Sequence, residues 1–318
     1  MPRNAVNAQT TIADTVRVVG IGVHSGREVS LTLHPADADT GIVFLRTETA
    51  DGRDVEIPAT WNHVSATDLC TMIGDPKGAS VATIEHLMAA LRGLGIDDVL
   101  VEIDGSEVPV MDGSSDAFID AIDSVGLVTR AARRRFVKVL KPVRVELGGG
   151  WAELHPYDGQ RYEVTIDFAD PVIGRQSIGV DLTPRIFREQ IARARTFGFV
   201  KDLEKLLPMG LCRGSSLENS VAIKDGRIIN PEGLRWTDEF VRHKLLDAIG
   251  DLALSGAPLL GLYRSHRGGH RLNHLTLKAL FADPTAWTLV DAPVRAAASP
   301  AAEVGIGHLA PAFRAEVA

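Results

Sequence analysis

Cysteine is nearly absent from this chain. Only Cys70 and Cys212 occur in 318 residues. They cannot build a disulfide framework or a CxxC metal knuckle, and are expected as reduced, half-buried thiols. Aromatic residues are also sparse, at 5%. No apolar run approaches the ~20 residues that a membrane span needs. The opening stretch "MPRNAVNAQTTIADTV" has no apolar segment of the signal-peptide kind. Positive charge is not in excess: 34 Lys and Arg stand against 41 Asp and Glu, a net charge of −7. That argues against broad binding to nucleic acid or to an anionic membrane. There is no Gly-x-Gly-x-x-Gly loop, because "GIGVHSG" (20–26) misses the spacing and Gly148-Gly149-Gly150 reads as a hairpin tip. What is left is a cytoplasmic globular protein, 45% hydrophobic and 24% charged. It is long enough for two cores, with no nucleic-acid partner and no membrane span expected.

A weak internal repeat organises the chain. "VSLTLHPADADTGIVFLR" (29–46) resembles "GWAELHPYDGQRYEVTIDF" (150–168). Each alternates apolar and polar residues, passes through Leu-His-Pro-x-Asp and alternates again, which predicts a strand, a turn and a strand paired as a hairpin. Each is followed by a helix carrying a Glu-His or Arg-His pair: "TIEHLMAALRGLGI" (83–96) and "EFVRHKLLDAIGDL" (239–252). The repeat predicts two α/β domains of one kind, 1–132 and 135–285, joined by the basic run Arg130 to Arg135, with a loosely packed tail over 286–318. Between them, "DDVLVEIDG" (97–105) reads as a strand and "VPVMDGSSDAFIDAIDSVGL" (108–127) as a turn and a helix capped by Asp112 or Ser114. "TPRIFREQIARARTFGF" (183–199) reads as a helix that Phe197-Gly198 ends. "NSVAIKDGRIIN" (219–230) reads as a hairpin turning at Asp225-Gly226.

The helix around 243–251 carries polar residues that a core helix does not need. His243, Asp247 and Asp251 recur at i, i+4 and i+8, opposite an apolar face of Leu245, Leu246, Ile249 and Leu252. A histidine and an aspartate one turn apart can reach a single ion, or form a buried hydrogen-bonded pair. A metal needs a third ligand, and the repeat brings Glu85-His86 opposite. Two histidines, one aspartate and an open position make a catalytic kind of zinc site. The rival cluster is His266, His270 and His274, but Gly268-Gly269 argues against a continuous helix through it and leaves His266 on a loop. His270 is then better placed as a separate catalytic group. Asp251 lies too far along its helix to join the same ion, and instead can accept a hydrogen bond from His270 and keep that imidazole protonated. Glu85 suits a general base for a metal-activated water. Lys244 sits at the rim, either for an anionic substrate or merely exposed.

Several stretches together resemble the UDP-3-O-acyl-N-acetylglucosamine deacetylases, zinc enzymes of lipid A synthesis. They are "GIGVHSGREVSLTLHPA", "TIEHLMAAL", "EVPVMDGSS", "ARTFGF", "GLCRGSSLENSV", "DEFVRHKLLDAIGDL" and "GGHRLNHLTLKAL". They run in the family's order across nearly the whole chain. "HKLLDAIGDL" with "TIEHL" and "ARTFGF" is the specific combination, while "MDGSS" alone is weak. The resemblance implies an α+β fold of two similar α/β sandwich domains, packed through their helices with the zinc site at the domain interface. It implies His86, His243 and Asp247 as Zn2+ ligands, with Fe2+ accepting the same donors. It implies Glu85 as base, and His270 as a protonated partner supported by Asp251. Thr196 would polarise the amide carbonyl. Lys244, Phe197, Phe168, Arg267 and Cys212 would contact substrate, a UDP-linked acylated amino sugar. An insert at about 199–223 would form an acyl passage from Phe199, Val200, Leu203, Leu206, Leu207, Leu211 and Cys212. A monomer is expected.

Overall fold

The computed structural model describes residues 7–49 and 52–292. The first half runs β1 (Ala8–Ile12), β2 (Val16–Ile21), β3 (Glu28–Pro35), β4 (Ile42–Arg46) and β5 (Val55–Pro58). A small sheet of β6 (Val64–Ala66), β7 (Met72–Gly74) and β8 (Ser80–Val81) follows. The half closes with α1 (Glu85–Leu94), β9 (Val99–Ile103), α2 (Asp116–Val125) and β10 (Leu127–Arg133). The second half runs β11 (Arg135–Val139), β12 (Val143–Leu147), β13 (Gly150–His155), β14 (Gln160–Asp167), β15 (Arg175–Asp181) and α3 (Pro184–Gln190). Next come β16 (Phe197–Phe199), α4 (Val200–Leu206), β17 (Val221–Lys224) and β18 (Arg227–Ile228), then α5 (Glu239–Leu252), β19 (Leu259–His266), α6 (His270–Ala282) and β20 (Trp287–Asp291).

The two halves share one strand plan. The first sheet runs β2-β3-β9-β4-β5, and the second contains β12-β13-β19-β14-β15 in the same order. In each, every neighbouring pair is antiparallel except the one formed by the central strand, β9 with β4 and β19 with β14, which is parallel. The predicted hairpins at 29–46 and 150–168 are therefore not hairpins. The two alternating runs lie one strand apart, with β9 or β19 inserted between them. Alternation fixes a strand's two faces but not its neighbour.

Helices from both halves meet between the sheets, α1 against α5. All residues of α1 are buried, as are Phe240, Val241, Leu245, Leu246 and Ile249 of α5. Each such aliphatic side chain contributes roughly 1.5–3 kcal/mol on burial. The helices are tightly apposed at Gly250, where an added Cβ would lie 2.0 Å from the backbone oxygen of Glu85. Only glycine lets the two helices cross so tightly. Gly95 ends α1 in the left-handed conformation (φ 78°), a helix-terminating geometry that glycine adopts without penalty.

Other expectations change. The basic run 130–135, at the junction of the two halves, is not a loop but supplies the end of β10 and the start of β11, and Arg134 between them binds Asp97 at 2.8 Å and the Gly95 carbonyl at 2.6 Å. The helix predicted over 183–199 stops at Gln190, and its last residues become β16. His266 is the last residue of β19 rather than part of a loop, although Gly269 does precede a new helix at His270. The tail begins later than 286, because Trp287–Asp291 pairs antiparallel with β11 and Trp287 packs edge-on to Phe281; 293–318 lies outside the described residues. The hairpin at Asp225-Gly226 forms as expected, with φ of 49° and 68°, and Ser114 Oγ accepts from the Asp116 amide at the start of α2.

Candidate active site

Three helix segments converge on one point. The α1 N-terminus supplies Glu85 and His86, α5 supplies His243, Asp247 and Asp251 from successive turns, and α6 begins at His270. His86 Nε2 lies 3.6 Å and His243 Nε2 lies 3.4 Å from Asp247 Oδ1. Around a tetrahedral ion with bonds near ~2.0–2.1 Å, neighbouring donors stand about 3.4 Å apart, so the spacing fits. The chemistry fits as well. Asp247 Oδ1 is buried with no hydrogen-bond partner, while Oδ2 accepts from Lys244 Nζ at 2.7 Å. His243 Nδ1 donates to the Ala194 carbonyl at 3.0 Å, leaving Nε2 as a lone-pair donor toward the cluster. Burial pushes the His243 imidazole down to about 3, so it is neutral, the form that binds metal. Burial opposes the Asp247 charge, yet His243 and Lys244 outweigh it and hold the carboxyl well below its ordinary range. The trio is thus a candidate metal site spanning both halves.

Beside it stands a second trio, Glu85, Asp251 and His270. His270 Nδ1 donates to Asp251 Oδ2 at 2.9 Å, and its Nε2 faces Glu85 Oε1 at 3.9 Å. Burial disfavours the imidazolium, but Asp251 and then Glu85 outweigh it and raise the pKa to about 9. Burial raises the Glu85 carboxyl, against the pull of His270 and His86. An acid and a base with displaced pKa values sit within one pocket.

Both trios open into a cavity of about 700 Å³, whose walls include Glu85, His86, His243, Asp247 and His270, with Thr196 and Lys244. Lys244 also lies 5.5 Å from the Phe197 ring centroid. Phe168 and Phe197 line the cavity and stack edge-on at 5.7 Å. The far wall comes from the insert, where Phe199, Val200, Leu203, Leu206 and Cys212 contribute and Leu207 and Leu211 do not. The parallel unit β16-α4-β17 holds that wall. Arg267 stays outside the cavity wall, its guanidinium beside Gly149 and its amide bonded to the Thr165 carbonyl. Asp251 sits behind His270.

Sequence reading missed several residues here. Thr71 bonds both Glu85 and Asp251, and Asn273 donates to Asp251 at 2.7 Å. His24 lines the cavity and its Nδ1 accepts from the Cys212 amide at 3.4 Å. Glu107 gathers the His24 and Ser25 amides and the Thr83 hydroxyl. The local signal for His24 is "GIGVHSG", which misses the Gly-x-Gly-x-x-Gly spacing and is part of the family resemblance, and neither reading assigns His24 a role. Leu69, Thr83 and Cys212 line the cavity with positive φ (67°, 56° and 56°), backbone strain of the kind that collects at functional sites.

Residues 9–282 match the family model for UDP-3-O-acyl N-acetylglycosamine deacetylase. The chain belongs to that deacetylase family. Relatives named UDP-3-O-acyl-N-acetylglucosamine deacetylase in Brucella ovis and Brucella abortus are each 53% identical over 285 residues, 89% of this chain and 99% of theirs. The relative so named in Brucella melitensis is 52% identical over the same span. In this member of the family, the buried His86–His243–Asp247 trio is the candidate place for a metal. No helix among the described residues is long and apolar enough to cross a membrane.

Proposed function

We propose that this chain hydrolyses the N-acetyl group of UDP-3-O-acyl-N-acetylglucosamine, releasing acetate, in lipid A biosynthesis. The observation that carries this reading is one cavity joining a buried metal-type trio, a base and a charged imidazole to an apolar wall suited to an acyl chain. The acetamide lies at the polar end, and the 3-O-acyl chain runs along Phe199, Val200, Leu203 and Leu206. His86, His243 and Asp247 hold Zn2+, with Fe2+ fitting the same donors. When bound, the metal supplies Lewis acidity toward the amide carbonyl and toward water.

Glu85 Oε1 takes a proton from the attacking water as its oxygen bonds to the amide carbon. The carbonyl π electrons move onto oxygen, and the Thr196 hydroxyl donates to that oxyanion. One such donor is worth roughly 3 kcal/mol of barrier. His270, held as imidazolium by Asp251, stabilises the developing charge through Nε2–H and gives that proton to the amine as the C–N bond breaks. Glu85 leaves the cycle protonated and His270 neutral, and exchange with solvent resets both. Lys244, Phe168 and Phe197 line the approach for the sugar and its phosphates, and Cys212 lies on the acyl side. Arg267, which stays off the cavity wall, is proposed to reach the UDP portion from its rim. The protein acts as a monomer in the cytoplasm.

The test couples metal analysis to turnover. Parent enzyme with about one equivalent of zinc should deacetylate UDP-3-O-acyl-N-acetylglucosamine far faster than simple acetamides. Glu85→Gln should keep the zinc and lose about 10²-fold or more in rate. Equal rates on simple acetamides would overturn the substrate, and an active Glu85→Gln would remove the base.

A further inference from the structure

We infer that Thr71 is a positioning residue that fixes the base and the His270–Asp251 pair relative to each other. The inference rests on the roles proposed above for those three groups. Thr71 is 1% exposed, directly precedes β7, and belongs to the first half of the chain. Its backbone amide donates to Glu85 Oε2 at 3.0 Å. Its hydroxyl donates to Asp251 Oδ1 at 2.6 Å, on α5 of the second half. Its carbonyl accepts from the Ile84 amide, at the entry to α1, at 3.4 Å. One residue therefore holds one oxygen of each of the two buried carboxylates.

The consequence for each carboxylate follows from what is left free. With Oε2 occupied by the amide, Glu85 presents Oε1 toward His270 Nε2 and the cavity. With Oδ1 occupied by the hydroxyl, Asp251 turns Oδ2 to His270 Nδ1 at 2.9 Å and to Asn273 Nδ2 at 2.7 Å. Three donors leave Asp251 no rotational freedom, and its bond to Nδ1–H fixes which His270 nitrogen faces the cavity. The backbone around Thr71 is committed to this geometry: Leu69, two residues earlier, is left-handed at φ 67° and Thr83, before Ile84, is left-handed at φ 56°. A β-branched residue at positive φ is a true outlier and persists only when neighbours over-determine it. Thr83 is so held by its hydroxyl bond to Glu107 at 3.0 Å.

The discriminating variants are Thr71→Val, which keeps shape and amide but removes the hydroxyl, and Thr71→Ser, which keeps the donor and removes the methyl. In zinc-loaded enzyme, Thr71→Val should lose about 10- to 100-fold in kcat, the scale of a lost hydrogen bond to a charged group, with KM and zinc content unchanged. Thr71→Ser should restore most of that rate. A Thr71→Val enzyme with parental kcat, or a Thr71→Ser enzyme as slow as Thr71→Val, would overturn the inference. A readout independent of turnover accompanies this: the Nδ1–H proton resonance of His270 bonded to a carboxylate should persist in Thr71→Ser and be lost or shifted in Thr71→Val. Unchanged imidazole resonances in Thr71→Val would also overturn it. A parent enzyme without turnover would sink the functional reading, leaving the resonances to decide the positioning claim alone.

Discussion

Asp251 shows how much one charge decides at this site. It does not line the cavity, yet its carboxylate is the leading reason that His270 stays protonated up to about pH 9. A step that needs imidazolium loses rate as pH rises through that value. Asp251→Asn keeps the shape and removes the charge, so His270 gives up its proton more easily and the basic limb of the pH–rate profile should move to lower pH. Zinc content should stay at the parental value, because Asp251 is not within the His86–His243–Asp247 trio. The profile of Asp251→Asn beside that of His270→Ala checks this, and an unmoved limb would make Asp251 structural. At this scale the sequence was readable where spacing carries meaning: the i, i+4, i+8 pattern of His243, Asp247 and Asp251 puts all three on one helix face. Thr71 carried no such pattern. Its role comes from contacts 14 and 180 residues away, which no local window contains.

At the scale of elements, the site depends on how closely α1 and α5 cross. Helix propensity alone favours alanine over glycine at Gly250 by about 1 kcal/mol. The crossing reverses that sign, because an added Cβ meets the Glu85 carbonyl at 2.0 Å, a backbone atom that cannot step aside without moving α1. Gly250→Ala should therefore destabilise the fold by about 1–3 kcal/mol in urea titrations and reduce metal retention. The same displacement carries His86 away from His243 and Asp247. Parental stability with full metal would show that the helices relax freely. Helix existence and the apolar face of α5 were legible in advance. The short α3 was not, since the apolar periodicity of 183–199 continues past Gln190, and only packing turns Phe197–Phe199 into a strand beside Val221–Ile223.

For the whole molecule, the metal-type trio ties one half to the other, with His86 on α1 and His243 and Asp247 on α5. An ion bound only by the folded arrangement stabilises it by mass action, by roughly 3 kcal/mol when free metal is about 100-fold above Kd. Adding zinc to stripped protein should raise the unfolding midpoint, and His86→Ala and His243→Ala should each abolish most of that rise along with bound zinc. A variant lacking His243 that still held one tight equivalent would transfer the ligand role to the 266–274 histidines. The strand-for-strand match of the two sheets agrees with the weak repeat seen at Leu33-His34-Pro35 and Leu154-His155-Pro156.

The sequence by itself determined the repeated motif, the helix faces and the residue types of the candidate metal trio, because each is read from short-range periodicity or recurrence. The tertiary structure decided the rest. It put β9 and β19 between runs that looked like hairpins, folded 287–291 into the second sheet, turned the basic run into strands, and aimed Thr71 and Asn273 at Asp251. Strand neighbours and buried hydrogen bonds are set by which distant apolar faces and polar atoms satisfy one another once the core closes, and that choice is made in space rather than along the chain.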